Sequence, residues 1–252
     1  MKLMLAIPSH SGAIDMTTAA TMMALQKLVL AEGGIVDTRF HSGSVIAMLR
    51  NLMVADFLAT DCDILFMLDA DQGVSEAGLA RMLKLDKPII GCLYPKRRYD
   101  WNRVDRGESA GDLGRILYQA SDYVGLLDAK PDGSVDLMDG FAPALHVGTG
   151  AFLIRRPALE AMQRHYPDLR NTGFSNLEFP PPRFAANWGF FNPLPNDGPG
   201  GGVVSEDLSF CKRWRQAGGE IWADIVTPVA HVGRQVYSGS YMEYLQATQP
   251  RR

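Results

Sequence analysis

"ILFMLDADQGV", residues 64–74, carries an apolar run directly into two carboxylates, Asp69 and Asp71, with only Ala70 between them. An unbroken apolar run of this length is typical of a parallel strand that is covered on both faces. Because side chains in a strand alternate between faces, the two carboxylates converge only if a turn begins at Ala70. The stretch therefore predicts a buried strand that presents two carboxylates at one edge of a sheet.

The sequence around this stretch alternates between strand and helix patterns from residue 2 to about residue 93. Strand patterns are "KLMLAI", which Pro8 closes, "IVDTRF" and "KPIIGCLYP". Helical periodicity marks "TTAATMMALQKLVLAEGG", "SVIAMLRNLMVADFLAT", with Ser44 as the expected N-cap, and "SEAGLARMLKL". Such alternation predicts an α/β fold with a mostly parallel central sheet, in which ligands bind at the carboxyl ends of the strands.

The sequence after residue 95 has a different pattern, with fewer regular elements. The stretch 96–114 is polar and predicts turns, whereas "APALHVGTGAFLIRR" predicts two strands hinged at Gly148-Thr149-Gly150. Helices are predicted for "RPALEAMQRH" and "SEDLSFCKRWRQAGG", and strands for "EIWADI" and "PVAHVG". Residues 167–204 are rich in Pro and Gly, and a loop of that length inside a compact domain is usually functional. No internal repeat or linker divides the sequence, so residues 1–252 are expected to form a single domain.

Composition and charge narrow the class of protein. Apolar residues make up 46% of the chain and charged residues 21%, which suffices for an ordinary core. The net charge of −3 indicates no overall attraction to nucleic acid or membranes. Residues 1–6 lack the basic start and long apolar core of a signal peptide, and no apolar run reaches the ~20 residues of a membrane span. A cytoplasmic protein is therefore expected.

The three cysteines, Cys62, Cys92 and Cys211, lie far apart in the sequence. They show neither CxxC nor zinc-finger spacing, which disfavours both a disulfide framework and a zinc knuckle. We expect these thiols to be reduced and most of them to be buried in the core.

Two convergent carboxylates at the end of a strand are suited to bind a divalent cation. Mg²⁺ and Mn²⁺ are usually held by one or two carboxylates, and substrate phosphates and water supply the other ligands. The alternative is structural: Asp69 ends the strand, and Asp71 caps the turn before Ser75. The position of the pair at the ligand-binding edge of the sheet favours the cation site.

Several blocks of sequence, in this order, resemble the GT-A-fold glycosyltransferases, in particular those of bacteria and their phages. The blocks are a helix with Arg50-Asn51, then "ILFMLDADQGV", "YPKR", "VGTGAFLIRR", "SEDLSFCKRWRQAGGEIWADI" and "HVG", and the resemblance covers about residues 2–235. It implies a Rossmann-like nucleotide-diphospho-sugar transferase fold. It divides the domain into a nucleotide-binding half (1–95), a half for the donor sugar and the acceptor (96–235), and a C-terminal tail (236–252).

In that family the Asp-x-Asp pair holds a divalent metal against the diphosphate of a nucleotide-sugar. The resemblance implies that Mn²⁺ or Mg²⁺ binds at Asp69, Asp71 and His231, with Asp69 near the ribose or a metal-bound water. A bound cation stabilises the charge that develops on a nucleoside diphosphate as it leaves. Without the resemblance, a histidine in the apolar stretch "TPVAHVG" is expected to be an ordinary core residue.

The resemblance also implies a catalytic carboxylate in the Glu-Asp block. In inverting members an Asp of this block removes the proton of the acceptor hydroxyl, and it corresponds to Asp207, with Glu206 beside it. Two alternatives stay open. The helix dipole alone favours acidic residues in the first turn of a helix, and in a retaining enzyme Asp207 would orient the acceptor or support the donor.

Further contacts to the donor are implied for both halves of the chain. Those to the nucleotide fall after the first strand and on the second helix, at Pro8, Ser9, His10, Arg50 and Asn51. Backbone approach to the donor sugar is implied at Gly148, Thr149 and Gly150. The alternative for these three residues is a tight strand turn, and the alternative for Arg50 is a solvated helix face.

The stretch 96–106 is a positive patch with aromatic residues between the charges. Its basic residues include Lys96, Arg97, Arg98 and Arg103, against a single Asp100 in "YPKRRYDWNR". The patch is suited to contact the donor diphosphate, through Lys96, or an acidic acceptor such as modified nucleic acid. A solvated surface is the alternative.

These residues together indicate metal-dependent transfer of a sugar from a UDP- or GDP-sugar to an acceptor, either a glycan or a modified nucleic acid. A nucleotidyltransferase of the same fold that makes sugar nucleotides is the second interpretation, although "PSHSGAID" contains no Lys or Arg. A two-metal phosphoesterase would need a denser set of ligands than five scattered histidines supply. A non-catalytic module that binds a nucleotide or a sugar is the alternative outside the enzymes.

Overall fold

The computed structural model describes residues 1–105, 112–175, 183–196, 198, 200–234 and 240–242. The first part of the chain alternates strands and helices as predicted. Its elements are β1 (Lys2–Ser9), α1 (Met16–Ala31), β2 (Ile35–Ser42), α2 (Ile46–Leu58), β3 (Ile64–Leu68), β4 (Gln72–Val74), α3 (Glu76–Lys84) and β5 (Ile89–Cys92).

The second part adds six strands, three helices and short 3₁₀ turns. The strands and helices are β6 (Tyr94–Tyr99), α4 (Leu113–Ala120), β7 (Ser121–Leu127), β8 (Phe141–Val147), β9 (Ala151–Arg155), α5 (Arg156–His165), α6 (Glu206–Gln216), β10 (Trp222–Asp224) and β11 (Val229–His231). The 3₁₀ turns are Trp101–Arg103, Pro167–Leu169 and Arg183–Ala186. The predicted tail, 236–252, lies outside the described residues except for 240–242.

Within the described residues, nine strands form one sheet in the order β2-β1-β3-β9-β5-β10-β8-β7-β6. Strands β1, β2 and β3 pair in parallel, as do β5 and β10, whereas β9 lies antiparallel between β3 and β5. Strands β8, β7 and β6 continue the sheet by antiparallel pairing. Most strands therefore point the same way, and the predicted α/β fold with a mostly parallel central sheet is confirmed.

The core lies on both faces of this sheet, and strand alternation explains why. In β3, Leu65 and Met67 face one cluster of buried side chains, which includes residues of α2. Ile64, Phe66 and Leu68 face a second cluster, which includes residues of α1. All five residues of β3 are buried. The unbroken apolar run thus reflects burial on two faces.

A small second sheet places β11 next to the Asp69–Asp71 turn. Strand β11 pairs antiparallel with β4, and His231 lies opposite Gln72. The backbone N–H of Val232 also donates to the carbonyl oxygen of Asp71, at 2.8 Å. His231 is therefore positioned beside the turn by backbone pairing.

Some local predictions were wrong, each for a reason visible in the structure. Ser44 does not cap α2, which begins at Ile46 after Val45 and has no side-chain cap. The stretch 96–114 does not consist of turns alone, because residues up to Tyr99 pair with β7 as an edge strand. By contrast, the two strands predicted on either side of Gly148-Thr149-Gly150 are present as β8 and β9; they do not pair with each other, since β9 inserts between β3 and β5.

The long segment 167–204 contributes to the core. Phe190 and Phe191 are fully buried, and the ring of Phe191 stacks on that of Phe210 at 4.5 Å. The three cysteines are free and buried, as predicted. Within the described residues, no helix is both long enough and apolar enough to span a membrane.

Candidate functional site

A cleft of about 710 Å³ opens where β1, β2 and β3 end. This is the edge at which ligands bind in parallel α/β sheets. Several residues singled out in the sequence line it: Pro8, Ser9, His10, Arg50, Asp69, Asp71 and Glu206. Asp15, Ser44, Arg97, Gly233 and Arg234 also line it.

The turn that carries the two carboxylates is fixed by its neighbours. The N–H of Asp69 donates to the carbonyl of Gly150 at 2.8 Å, which extends the pairing of β3 with β9. The N–H of Gln72 donates to the carbonyl of Asp69 at 3.2 Å and closes the turn. The N–H of Asp15 donates to the carbonyl of Ala70 at 2.8 Å. The chain therefore turns at Ala70, as predicted, and the turn is anchored on two sides.

Arg50 bridges two carboxylates in the cleft wall. Its Nη2 donates to Asp69 Oδ1 at 2.9 Å, and its Nε donates to Glu206 Oε1 at 3.3 Å. Burial disfavours the charged guanidinium, but Asp69 and Glu206 outweigh burial and raise its pKa. The side chain is only 3% exposed, which contradicts the alternative of a solvated helix face. Nη1 has no hydrogen-bond partner in the described part of the chain.

Asp71 faces Arg97 and His231. Its Oδ2 lies 2.6 Å from Arg97 Nη1 and 3.7 Å from His231 Nε2. Partial burial raises the pKa of Asp71, and the charges of His231 and Arg97 oppose this shift. Asp71 is therefore held between two nitrogen-bearing side chains at the mouth of the cleft.

The tautomer of His231 follows from its second contact. Nδ1 lies 2.8 Å from the carbonyl oxygen of Pro95, which can only accept, so Nδ1 carries the hydrogen. Nε2 is then the nitrogen available to a ligand, and it lies 3.7 Å from Asp71 Oδ2. Metal-binding histidines are oriented in this way, with the second nitrogen bonded to a carbonyl. The edge of Tyr94 packs on the ring at 5.2 Å.

The three predicted metal ligands are not brought to one point. Among the residues that the structure describes, no group of three His, Cys, Asp or Glu side chains is arranged to hold a metal ion. Asp71 and His231 face each other, whereas Asp69 turns toward Arg50. A carboxylate oxygen and a histidine nitrogen are nonetheless donors suited to Mn²⁺ when phosphate and water complete the shell.

The two acidic residues of α6 point in different directions. Glu206 lines the cleft and bonds Arg50. Asp207 does not line it: its Oδ1 accepts from the hydroxyl of Ser205 and from the N–H of Leu208, the latter at 2.8 Å. The carboxylate of Asp207 thus stabilises the start of its own helix.

Asn51 does not reach the cleft. Its side chain is fully buried and bonds the segment 167–204 at three points: Nδ2 donates to the carbonyl of Gly173 and to Asn192 Oδ1, and Oδ1 accepts from the N–H of Phe191. The sequence around Asn51 did not predict these hydrogen bonds, because their partners are more than a hundred residues away in the chain.

The stretch Gly148-Thr149-Gly150 lies behind the turn and packs against buried side chains. A Cβ atom at Gly148 would lie 2.1 Å from the Tyr94 hydroxyl oxygen, and one at Gly150 would lie 2.1 Å from Gln72 Nε2. Thr149 is 1% exposed. The two glycines therefore permit close packing beneath the site, and none of the three residues lines the cleft.

The positive patch divides into two faces. Lys96, Arg98 and Arg103 all lie within 3.5 Å of the carboxylate of Asp122 on β7, whose pKa they lower to about 2. Among the basic residues of the patch that the structure describes, Arg97 alone lines the cleft. Lys96, predicted to contact the diphosphate, is therefore directed away from it. Sequence reasoning missed Asp122 because it comes from another strand.

Comparisons with known proteins found similarity to solved structures at low sequence identity. No protein-family model and no curated protein matches the sequence. A197 from STIV is 14% identical, over 93% of this chain and 87% of that one, with a TM-score of 0.48. A mannose-1-phosphate geranyltransferase from Thermus thermophilus is 14% identical, over 90% and 75%, with a TM-score of 0.47. A glycosyltransferase involved in glycosylation of the major capsid of PBCV-1 is 12% identical, over 73% and 72%, with a TM-score of 0.33.

Proposed function

We propose that the protein is a metal-dependent glycosyltransferase of the GT-A type, which moves a sugar from a UDP- or GDP-sugar to an acceptor. The observation that carries this proposal is the pair of Asp71 and His231 at the carboxyl ends of the strands, with His231 Nε2 oriented by the carbonyl of Pro95. Such a pair leaves coordination positions for phosphate oxygens and water.

Asp71 and His231 are the residues that would hold Mn²⁺ or Mg²⁺. The bound cation would neutralise charge on the leaving nucleoside diphosphate. In the structure, Arg97 contacts Asp71 on the side where the cation would bind. Its side chain is 53% exposed, so it has room to turn toward a diphosphate. Arginine binds phosphate oxygens with paired N–H donors. Arg97 thus supplies a second positive group beside the metal.

Asp69 and Arg50 orient the nucleotide side of the cleft. The Asp69 carboxylate is fixed by Arg50 and keeps a second oxygen for a ribose hydroxyl or a metal-bound water. Nη1 of Arg50, which has no hydrogen-bond partner among the described residues, is a further donor on this side of the cleft. Pro8, Ser9 and His10 continue the wall where the base and the ribose would lie.

Glu206 is the carboxylate that we assign to the acceptor hydroxyl. It lines the cleft and bonds the same guanidinium as Asp69, whereas Asp207 is engaged at the start of α6. A carboxylate within hydrogen-bond reach of a hydroxyl can accept its proton as the new bond forms. Asp207 is the second candidate for this role.

Calorimetric titration tests the donor half of the proposal. UDP and GDP are titrated into the parent protein with Mn²⁺ and with EDTA, and then into His231→Ala and a control, Asp128→Asn, whose carboxylate contacts Arg215 at the surface. We expect either UDP or GDP to bind the parent protein, and only when Mn²⁺ is present. His231→Ala should weaken this binding, whereas Asp128→Asn should leave it unchanged. Equal binding with EDTA, or equal binding by His231→Ala, would contradict the metal site.

Transfer is tested with the nucleotide identified in that titration. We expect the protein to release the nucleoside diphosphate from the matching nucleotide-sugars. Formation of a nucleotide-sugar from a sugar 1-phosphate and a nucleoside triphosphate, without such release, would assign the protein to the nucleotidyltransferases instead.

A further inference from the structure

A group of exposed aromatic rings lies at one edge of the large sheet. We call it the aromatic edge, and it consists of Tyr99, Trp101, Tyr118 and Tyr123. These residues are 41% to 74% exposed. Large apolar groups that cluster at the surface mark binding sites more often than those that are scattered singly.

Backbone hydrogen bonds connect the segments that carry these rings. Strand β6 pairs with β7, which sets Pro95 opposite Tyr123 and Tyr99 opposite Ser121. The N–H of Asp100 donates to the carbonyl of Ala120, at 2.8 Å, and so joins β6 to the end of α4. The rings of Tyr99 and Trp101 lie 5.2 Å apart at an angle of 36°. Two rings are thereby presented side by side at the surface.

The charges around the rings disfavour a polyanionic partner. Lys96, Arg98 and Arg103 share the carboxylate of Asp122, and Arg103 also approaches Asp100, at 3.7 Å. Proteins that bind nucleic acid use cations that neutralise phosphates. Here the three cations are already neutralised in part by carboxylates that would repel a phosphate. The surface therefore suits a ligand with little charge and many hydroxyl groups.

The aromatic edge is continuous with the cleft. Arg97 lines the cleft and precedes Tyr99 by two residues on β6, a distance of about 6.6 Å along a strand. A ligand that extends beyond the cleft by about the width of one sugar ring would reach Tyr99. Sugar rings present C–H groups on a face and hydroxyls at the rim, which match an aromatic ring flanked by charged side chains.

We infer that the aromatic edge binds the carbohydrate chain of an acceptor glycan, so that the terminal sugar enters the cleft. Tyr99 and Trp101 stack on successive sugar rings. This inference rests on the proposed function, because it names the acceptor of that reaction.

Saturation-transfer NMR on the full chain tests the inference. The probes are cellohexaose, maltohexaose and chitohexaose, each used alone, and the variants are Trp101→Ala and Tyr99→Ala. The matched control is Phe40→Ala, which removes a ring that is 59% exposed on β2, at the opposite edge of the sheet. We expect at least one hexasaccharide to bind the parent and the control. Trp101→Ala should raise its dissociation constant roughly tenfold, as the loss of a good aromatic contact does.

Two outcomes would overturn the inference: no binding of any of the three hexasaccharides, or equal binding by Trp101→Ala. An oligonucleotide of twenty thymidines is the competing probe, and binding of it that Trp101→Ala weakens would assign the surface to nucleic acid. Calorimetry with Mn²⁺ and UDP or GDP on the same proteins separates this inference from the proposed function. Trp101→Ala should keep nucleotide binding. A parent that binds a hexasaccharide through Trp101 but binds no nucleotide would refute the donor site alone.

Discussion

The guanidinium of Arg50 bridges Asp69, at the end of β3, and Glu206, at the start of α6. One buried cation thus pairs with two carboxylates from distant parts of the sequence and joins the two sides of the cleft. Loss of one partner of such a group leaves charges that are buried and unpaired, which costs more than the intact group contributes.

Arg50→Met should therefore destabilise the protein strongly. We expect a fall of about 3 kcal/mol in the free energy of unfolding, measured by urea titration. The matched control is Arg215→Met, whose ion pair with Asp128 is 41% and 48% exposed and should contribute less than about 1 kcal/mol. Adding Asp69→Asn and Glu206→Gln to Arg50→Met should restore part of the loss. Equal effects of the two arginine substitutions would show that the bridge is not a buried charge group.

Asp71→Ala should abolish metal-dependent nucleotide binding and leave the fold intact. The carboxylate lies in a turn at the mouth of the cleft, outside the two core clusters. Calorimetry with Mn²⁺ and the nucleotide that the parent binds should show no heat of binding, while the melting curve stays close to that of the parent. Parental affinity in this variant would refute the metal site.

Substitutions of the two acidic residues of α6 should differ in their effect on the rate of sugar transfer. Glu206→Gln should lower single-turnover transfer at saturating donor by roughly 10²–10⁴-fold, the usual contribution of a general base. Asp207→Asn should stay within a few-fold of the parent, because Asn is about as good as Asp at the start of a helix. A large loss in Asp207→Asn with a parental Glu206→Gln would reverse the assignment.

His146 should titrate below its ordinary pKa of 6.5. Burial lowers the pKa of this imidazole, and the nearby charge of Asp207 partly opposes the shift. NMR titration should show a lowered midpoint, and Asp207→Asn should lower it further. Because the unfolded chain binds this proton more readily, the contribution of His146 to stability is present above about pH 6.5 and falls as the pH drops below it. An increase of the midpoint in Asp207→Asn would contradict the predicted proximity.

Gly150→Ala should destabilise the protein through overpacking. The added Cβ would lie 2.1 Å from Gln72 Nε2, and Gln72 is fully buried. We expect a loss of about 1–3 kcal/mol in urea unfolding, partly restored by Gln72→Ser. Gly114→Ala is the control: its nearest neighbour would be 3.4 Å away and it lies in α4, so this change should be neutral or stabilising. Equal stability of Gly150→Ala and the parent would show that the Gln72 side chain moves aside at little cost in free energy.

Local sequence patterns predicted the parts of the site that depend on neighbours in the chain. The apolar run of β3 and the turn at Ala70 follow from strand alternation, and the structure contains both. The insertion of β9 between β3 and β5 was not predictable in this way, because no periodicity specifies which strand a segment pairs with. The burial of Arg50 and the contact of Arg97 with Asp71 also depend on elements that only the fold brings together.

The pairing of β11 with β4 has a consequence for synthesis of the protein. Every strand of the nine-stranded sheet precedes Val229 in the chain, so a ribosome completes that sheet's residues before it translates His231. Domains acquire structure while the chain is still growing. The nascent protein therefore holds Asp71 before it holds the histidine beside it, and the site is completed only after every strand of the large sheet has been translated.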